Sequence, residues 1–148
     1  MKMANAQPFD LQQIDRIIRE GHPETLVEVS RELGERLARG GLTTHQLRNL
    51  YGEIRRIMME VEQAEAEASG GSSKLSPRVW WRILLLKPRM AYQASRIQRR
   101  DNPMLLLKEV LERAIDQIQE DSKRFHRFVD FVEAILAYHR YYQEGRQG

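Results

Sequence analysis

Where the helices must begin is the strongest constraint on how this chain can fold. Asp10 with Gln13, and Thr43 with Gln46, form two capping boxes, in which each side chain satisfies an exposed backbone N–H at a helix start. Ser76-Pro77 and Asn102-Pro103 each place a capping residue before a proline. Pro23 suits a first helical position, where its missing N–H would have had no partner. Behind these starts, small or apolar residues recur at steps of three and four: Ile14, Ile17 and Ile18, then Leu26, Val29, Ser30, Leu33 and Leu37. Leu47, Leu50, Tyr51, Ile54, Ile57, Met58 and Val61 continue the pattern, and Gly21 and Gly40-Gly41 are stop signals. No stretch alternates with period two for long enough to be a strand. The expectation is an all-α fold, a compact bundle of about five helices near 10–20, 23–39, 44–67, 77–100 and 103–143. They would form a single domain over residues 1–148, with a flexible connector at about 69–76. Gly70–Ser76 lacks the Gly-Lys-Ser/Thr spacing of a phosphate-binding P-loop and reads as a plain loop.

The last helix carries a seam. Leu111, Ile115, Ile118, Ser122, Phe125, Val129, Val132, Leu136 and His139 alternate steps of four and three, the period of helix-on-helix packing. One helix of that length would span about 60 Å. It is therefore either long, with an end projecting toward a partner, or broken near Asp121-Ser122.

Charge is unevenly placed. The net charge is +3, but residues 1–75 hold 10 basic and 12 acidic side chains while residues 76–148 hold 14 and 9. Between Pro77 and Arg100 lie seven basic side chains and no acidic one. Arg78, Arg82, Arg89, Arg96 and Arg100 are spaced so that they fall within about 40° of one another on a straight helix, in a stripe roughly 33 Å long. Such a row is a track for a phosphate backbone. Lys87 lies near it, and Pro88, which removes the hydrogen bond to Leu84, is expected to bend it. On the third helix Arg48 and Arg55 fall within about 20° of each other, with Arg56 beside them. Gly52 among them leaves room for a backbone to approach. Of 24 basic residues 19 are Arg, whose planar fork grips a phosphate with two hydrogen bonds, although compositional bias explains the ratio equally well.

Other readings of these residues limit the inference. Trp80, Trp81, Ile83, Leu84, Leu85, Leu86 and Met90 make the fourth helix apolar around most of its girth. A basic, Trp-bearing helix can lie in a membrane surface, but here it is expected to be the central core helix with its Arg stripe emerging at one side. Tyr92 could stack on a base or pack against the bundle, packing being the commoner fate. There is no Cys, and His22, His45, His126 and His139 form no zinc-type pair; His126 with Asp130 reads as an exposed ion pair. No nucleophile elbow, paired carboxylates or calcium loop is present, so no enzyme, metal or cofactor is expected. No apolar run approaches the ~18 residues of a membrane span, and Met1 to Gln7 lack a signal core. A cytoplasmic protein without a membrane partner is expected.

Three ordered segments carry a resemblance. They are Leu42-Thr-Thr-His-Gln-Leu-Arg48, Leu86-Lys-Pro-Arg-Met-Ala-Tyr-Gln-Ala-Ser-Arg96, and Phe128-Val-Asp-Phe-Val-Glu-Ala-Ile-Leu-Ala-Tyr-His-Arg140 with Tyr141-Tyr142. Together they resemble the small subunit of type III-A (Csm) CRISPR–Cas effector complexes, over roughly residues 42–143. The resemblance implies a compact helical protein, not itself a nuclease, present in more than one copy in a ribonucleoprotein. It would hold guide RNA and target RNA by their backbones, beside the filament subunits and the large subunit of the Csm complex. Its family-like basic positions are Arg48, Arg89 and Arg96, with Lys87 nearby. The chain departs from the pattern at Ser95, where family members often have Gly, and at His45, where a small hydroxyl residue is common. The expected RNA contacts are Arg48, Arg55, Arg56, Arg78, Arg82, Lys87, Arg89, Arg96 and Arg100, on phosphates rather than bases. The alternative is an architectural helical protein whose Arg stripe meets acidic protein surface, with no direct RNA contact.

Overall fold

Each expected start opens a helix in the computed structural model, which describes residues 9–68, 73–98 and 101–147. The helices are α1 (Leu11–Ile18), α2 (Pro23–Arg39), α3 (Thr44–Glu67), α4 (Pro77–Leu84), α5 (Leu86–Ser95), α6 (Pro103–Ile118) and α7 (Ser122–Gln147). The described residues hold no strand, only an isolated bridge between Lys74 and Asp121. The all-α class is as expected. Met1–Gln7, residues 69–72 of the connector, and Arg100 lie outside the described residues.

The caps follow the side-chain chemistry. The Thr43 box is complete: its Oγ1 accepts from the Gln46 N–H at 3.1 Å, and the Thr43 N–H donates to Gln46 Oε1 at 2.9 Å. Ser76 accepts from the Val79 N–H ahead of Pro77. Asp10 accepts from the Gln12 N–H, with no reciprocal bond from Gln13 among the described residues. Asn102 serves two helices: its Oδ1 accepts from the Met104 N–H, while its Nδ2 donates to the carbonyls of Ala94 and Ile97 at the end of α5. One cap carried no sequence signal. His22 Nδ1 accepts from the Thr25 N–H at the start of α2.

Two of the five expected helices are broken. Residues 77–100 divide at Leu85 into α4 and α5, because Pro88 has no N–H to offer the Leu84 carbonyl. Residues 103–143 divide at Gln119 and Glu120, which take left-handed φ values of 50° and 62°. The second helix does not project. Asp121 accepts from the N–H groups of Lys123 and Arg124 and starts α7, which folds back against α6. Residues 73–75 cover this turn, the Leu75 N–H donating to the Glu120 carbonyl at 2.8 Å.

One hydrophobic cluster draws on all seven helices, with Phe125, Phe128 and Phe131 of α7 fully buried in it. The central helix is thus α7, which touches α1, α2, α3 and α6, and not the 77–100 segment expected in that role. α4 and α5 lie at the edge. They bury Val79, Ile83, Leu86, Met90 and Ala94 while Trp81 (69 % exposed), Leu85 (50 %) and Tyr92 (63 %) face outward. The seam residues of 111–139 are nonetheless all inside, Leu136 partly so.

α2 packs parallel to α7, Gly21 lying beside Arg127 and Gly34 beside Tyr138. α3 runs antiparallel to α7, with Thr44 bonded to Gln143 and Glu65 to His126. A Cβ at Gly34 would stand 2.7 Å from the Tyr138 Cβ and 2.8 Å from the His139 backbone nitrogen. Ser30, Gly34 and Ala38, one turn apart, are all buried. At the same crossing the His139 side chain is fully buried, and its Nε2–H donates to the Leu42 carbonyl at 2.6 Å.

Two consequences are measurable. Gly34→Ala gains about 1 kcal/mol of helix propensity but overpacks a backbone contact at about 1–3 kcal/mol, so urea unfolding should show a net loss. Burial pushes the His139 imidazole below its ordinary pKa of 6.5, only partly offset by the Leu42 bond. The unfolded chain therefore takes up this proton first, and the contribution of His139 is whole above about pH 6.5 and lost as pH falls below it. The urea midpoint should drop between about pH 7 and 5.5, and His139→Gln, which keeps a donor but does not titrate, should flatten that drop.

Candidate nucleic-acid interface

The expected cations divide into three groups, decided by what the neighbouring helices present. α3 and α4 lie side by side in opposite directions, so Glu53 and Glu60 of α3 face the Arg row of 77–96. Seven residues separate the two carboxylates, two turns of α3 or about 10 Å, and seven separate Arg82 from Arg89 across the break at Leu85. The Glu53 carboxylate accepts from Arg56 Nη2 at 3.0 Å and Nε at 3.3 Å and from Arg82 Nη2 at 3.3 Å, with Arg89 Nη1 at 3.4 Å. Glu60 takes the other nitrogen of Arg82 and stands 3.6 Å from Arg78 Nε. Arg56, Arg78, Arg82 and Arg89 thus form one ladder of four guanidiniums and two carboxylates.

Burial alone would raise the Glu53 carboxyl. Hydrogen bonds from Arg56 and Arg82 and the charge of Arg89 outweigh that and hold it below the ordinary carboxylate range. The group is therefore ionised at neutral pH. A small open concavity sits where α3 meets the kink, lined by Glu53, Arg82, Leu85, Leu86 and Arg89.

The remaining cations lie elsewhere. Lys87 turns away from the ladder to Asp116 of α6, at 2.6 Å. Arg96 lies over the ring of Tyr92, 5.8 Å from its centre, so Tyr92 is an exposed ring carrying a cation and is not packed into the bundle. Its neighbour Ser95 donates to the Tyr92 carbonyl at 2.7 Å and closes α5. Arg48 is exposed on the first turns of α3, and Arg55 is half-buried near Tyr51. This pair lies about 120–160° around α3 from the two glutamates. A Cβ at Gly52 would meet nothing within 4 Å, so the room left there is open to an outside group.

The structure thus brings Arg56, Arg78, Arg82 and Arg89 together, puts Arg96 further along the same edge, and leaves Arg48, Arg55 and Lys87 on other faces. What spacing alone missed is the pair of carboxylates inside the row. The outward apolar ridge of Trp81, Leu85 and Tyr92 runs beside it. His126 bonds Glu65 at 3.1 Å, while with Asp130, the partner expected from their spacing, it shares a favourable charge interaction. Among the described residues no cluster of acidic or histidine side chains could hold a metal ion, and no helix is long and apolar enough to cross a membrane.

No curated protein matches the chain. A family model does: the one described as Csm2 Type III-A matches residues 20–145, which runs from the start of α2 into the last turn of α7 and takes in every cation of the row. The chain belongs to this family, and is a small subunit of a type III-A Csm complex.

Proposed function

We propose that this subunit is non-catalytic and holds guide RNA and target RNA by their backbone phosphates within a type III-A CRISPR–Cas ribonucleoprotein of antiviral defence. The observation that carries the reading is the surplus of the ladder. Four guanidiniums meet two carboxylates on one face, and Arg96 extends the same edge. Its ligand is therefore an anion with repeating charges. The groups offered are forked donors on long side chains, suited to phosphate oxygens and unable to select a base by themselves. Arg48 and Arg55, on a different face of α3, would meet another stretch of backbone. The subunit would work in the cytoplasm, with filament subunits, the large subunit and further copies of itself as protein partners.

A second reading has its own support. The ridge of Trp81, Leu85 and Tyr92 is apolar surface beside the cations, of the kind that packs on a neighbouring subunit. In that case α4 and α5 meet protein, and the Arg row serves architecture. Cross-linking and mass spectrometry of the native complex separates the two, since the first puts RNA adducts on α4 and α5 and the second puts only protein there.

Binding of single-stranded RNA should be tolerant of sequence and steeply dependent on salt. With a slope of roughly −0.7 per phosphate neutralised, five contacts lose about a hundredfold in affinity between 50 and 200 mM salt. Replacing Arg89 and Arg96 together by Glu should abolish binding in a filter or mobility assay while circular dichroism stays unchanged. Unaltered affinity in a folded double mutant would sink the RNA reading.

A further inference from the structure

We propose that Glu53 is a built-in stand-in for an RNA phosphate: it occupies a phosphodiester seat made by Arg56, Arg82 and Arg89, and so sets how tightly that seat binds. The inference rests on the RNA reading above and deepens it.

Three separate helices deliver the three guanidiniums. Arg56 comes from α3, Arg82 from α4 and Arg89 from α5, and their nitrogens stand 3.0–3.4 Å from the two oxygens of one carboxylate. Arg56 is at the hydrogen-bonding separation of an N–H on an anionic oxygen, and Arg82 and Arg89 stand slightly further off, at ion-pair distance, as they would around a phosphate. On a straight helix Arg82 and Arg89 would stand about 10 Å apart along the axis. Both reach Glu53 across the break at Leu85. The seat is open as well as built, because Glu53, Arg82 and Arg89 line the concavity at the kink and Arg89 is half-exposed. Glu53 itself is only 17 % exposed and stays ionised, so its negative charge is fixed in place.

An incoming phosphate must share these guanidiniums with a group of its own sign or displace it. Either way the carboxylate opposes binding, although it also keeps the three arginines aimed at one point. A subunit built this way keeps its affinity for a stray strand low, and firm holding then needs several seats along one RNA.

The test is Glu53→Gln in the full chain, titrated with a fluorescent single-stranded oligoribonucleotide of about 20 nucleotides, long enough to run past several seats. The amide keeps the shape and an acceptor for Arg56 but removes the charge. Affinity should rise about tenfold at low salt, less at high salt, and the salt slope should steepen by roughly 0.7. Glu60→Gln, further along the ladder, should tighten binding by a smaller factor. Glu28→Gln, on the exposed face of α2, should change it little. A folded Glu53→Gln protein that binds no tighter than wild type, or a Glu28→Gln protein that gains as much, overturns the proposal.

If the Glu53→Gln protein does not fold, the wild-type chain still decides. The carboxylate carbon resonance of Glu53 should shift on saturation with the oligoribonucleotide, and no shift there overturns the seat. A shift with inorganic phosphate but none with RNA assigns the seat to the free ion and overturns it as an RNA site. Failure of wild type to bind RNA at low salt removes both readings. Binding that the double reversal at Arg89 and Arg96 abolishes, but that Glu53→Gln leaves alone, removes only this one.

Discussion

α2 and α7 run side by side at a separation that only a hydrogen at Gly34 allows, and the rest of the molecule is arranged around that contact. With Ser30 and Ala38 one turn to either side, α2 offers a shallow groove where larger residues would hold the axes apart. The long helix α7 sinks into it with its backbone nearly touching α2. That fixes the depth of Phe125, Phe128 and Phe131, which fill the space among the other helices. α3 is then set by the tie from Leu42 to His139 at one end and by Glu65 with Ser122 and His126 at the other. Since α4 takes its place from Glu53 and Glu60 of α3, the position of the cation row descends, helix by helix, from the Gly34 crossing.

Much of the fold was legible because capping is local chemistry. The caps of Thr43 with Gln46, Ser76-Pro77 and Asn102-Pro103 each close within three residues, so they can be read without knowing how the helices pack. The seam from Leu111 to His139 was legible for a different reason: burial follows from apolarity whether or not the helix continues. For that very reason it could not choose between one long helix and a break near Asp121-Ser122, and the break is what the structure holds. Ile118 and Ser122 are inside on both sides of the turn, and nothing apolar marks Gln119 and Glu120, two ordinary polar residues in left-handed conformation. The segment 77–95 misled in the opposite direction. Its hydrophobic girth reads as core, but apolarity does not distinguish a face buried in this chain from one turned outward, as Trp81 and Tyr92 are. Gly34 was visible only as a glycine inside a helical period, a signal easily taken for indifference.

The candidate site was half legible. Helical spacing anticipates that Arg78, Arg82 and Arg89 meet along one edge, and they do so even though the break at Leu85 puts them on two helices. It says nothing of what the next element contributes. Glu53 and Glu60 repeat at the same seven-residue step as Arg82 and Arg89, and that match across two antiparallel helices was the available signal. Lys87 went elsewhere because the kink and α6 together put Asp116 within its reach. A row that is free of acid in sequence is therefore a strip of alternating charge in space, and its chemistry is that of a partly satisfied site.

α1 bears on where this protein can be divided. The family match starts at residue 20, just past the end of α1. Yet Ile14, Ile17 and Ile18 are wholly inside the common core, and Asp15 grips Arg113 of α6 through both carboxylate oxygens at 2.8 and 2.7 Å. Arg127 of α7 adds its hydrogen bonds to the carbonyls of Ile18 and Arg19. A boundary drawn where recognisable kinship begins would thus cut through the hydrophobic interior. The span that carries the match and the length of chain that closes the core of this polypeptide are therefore different.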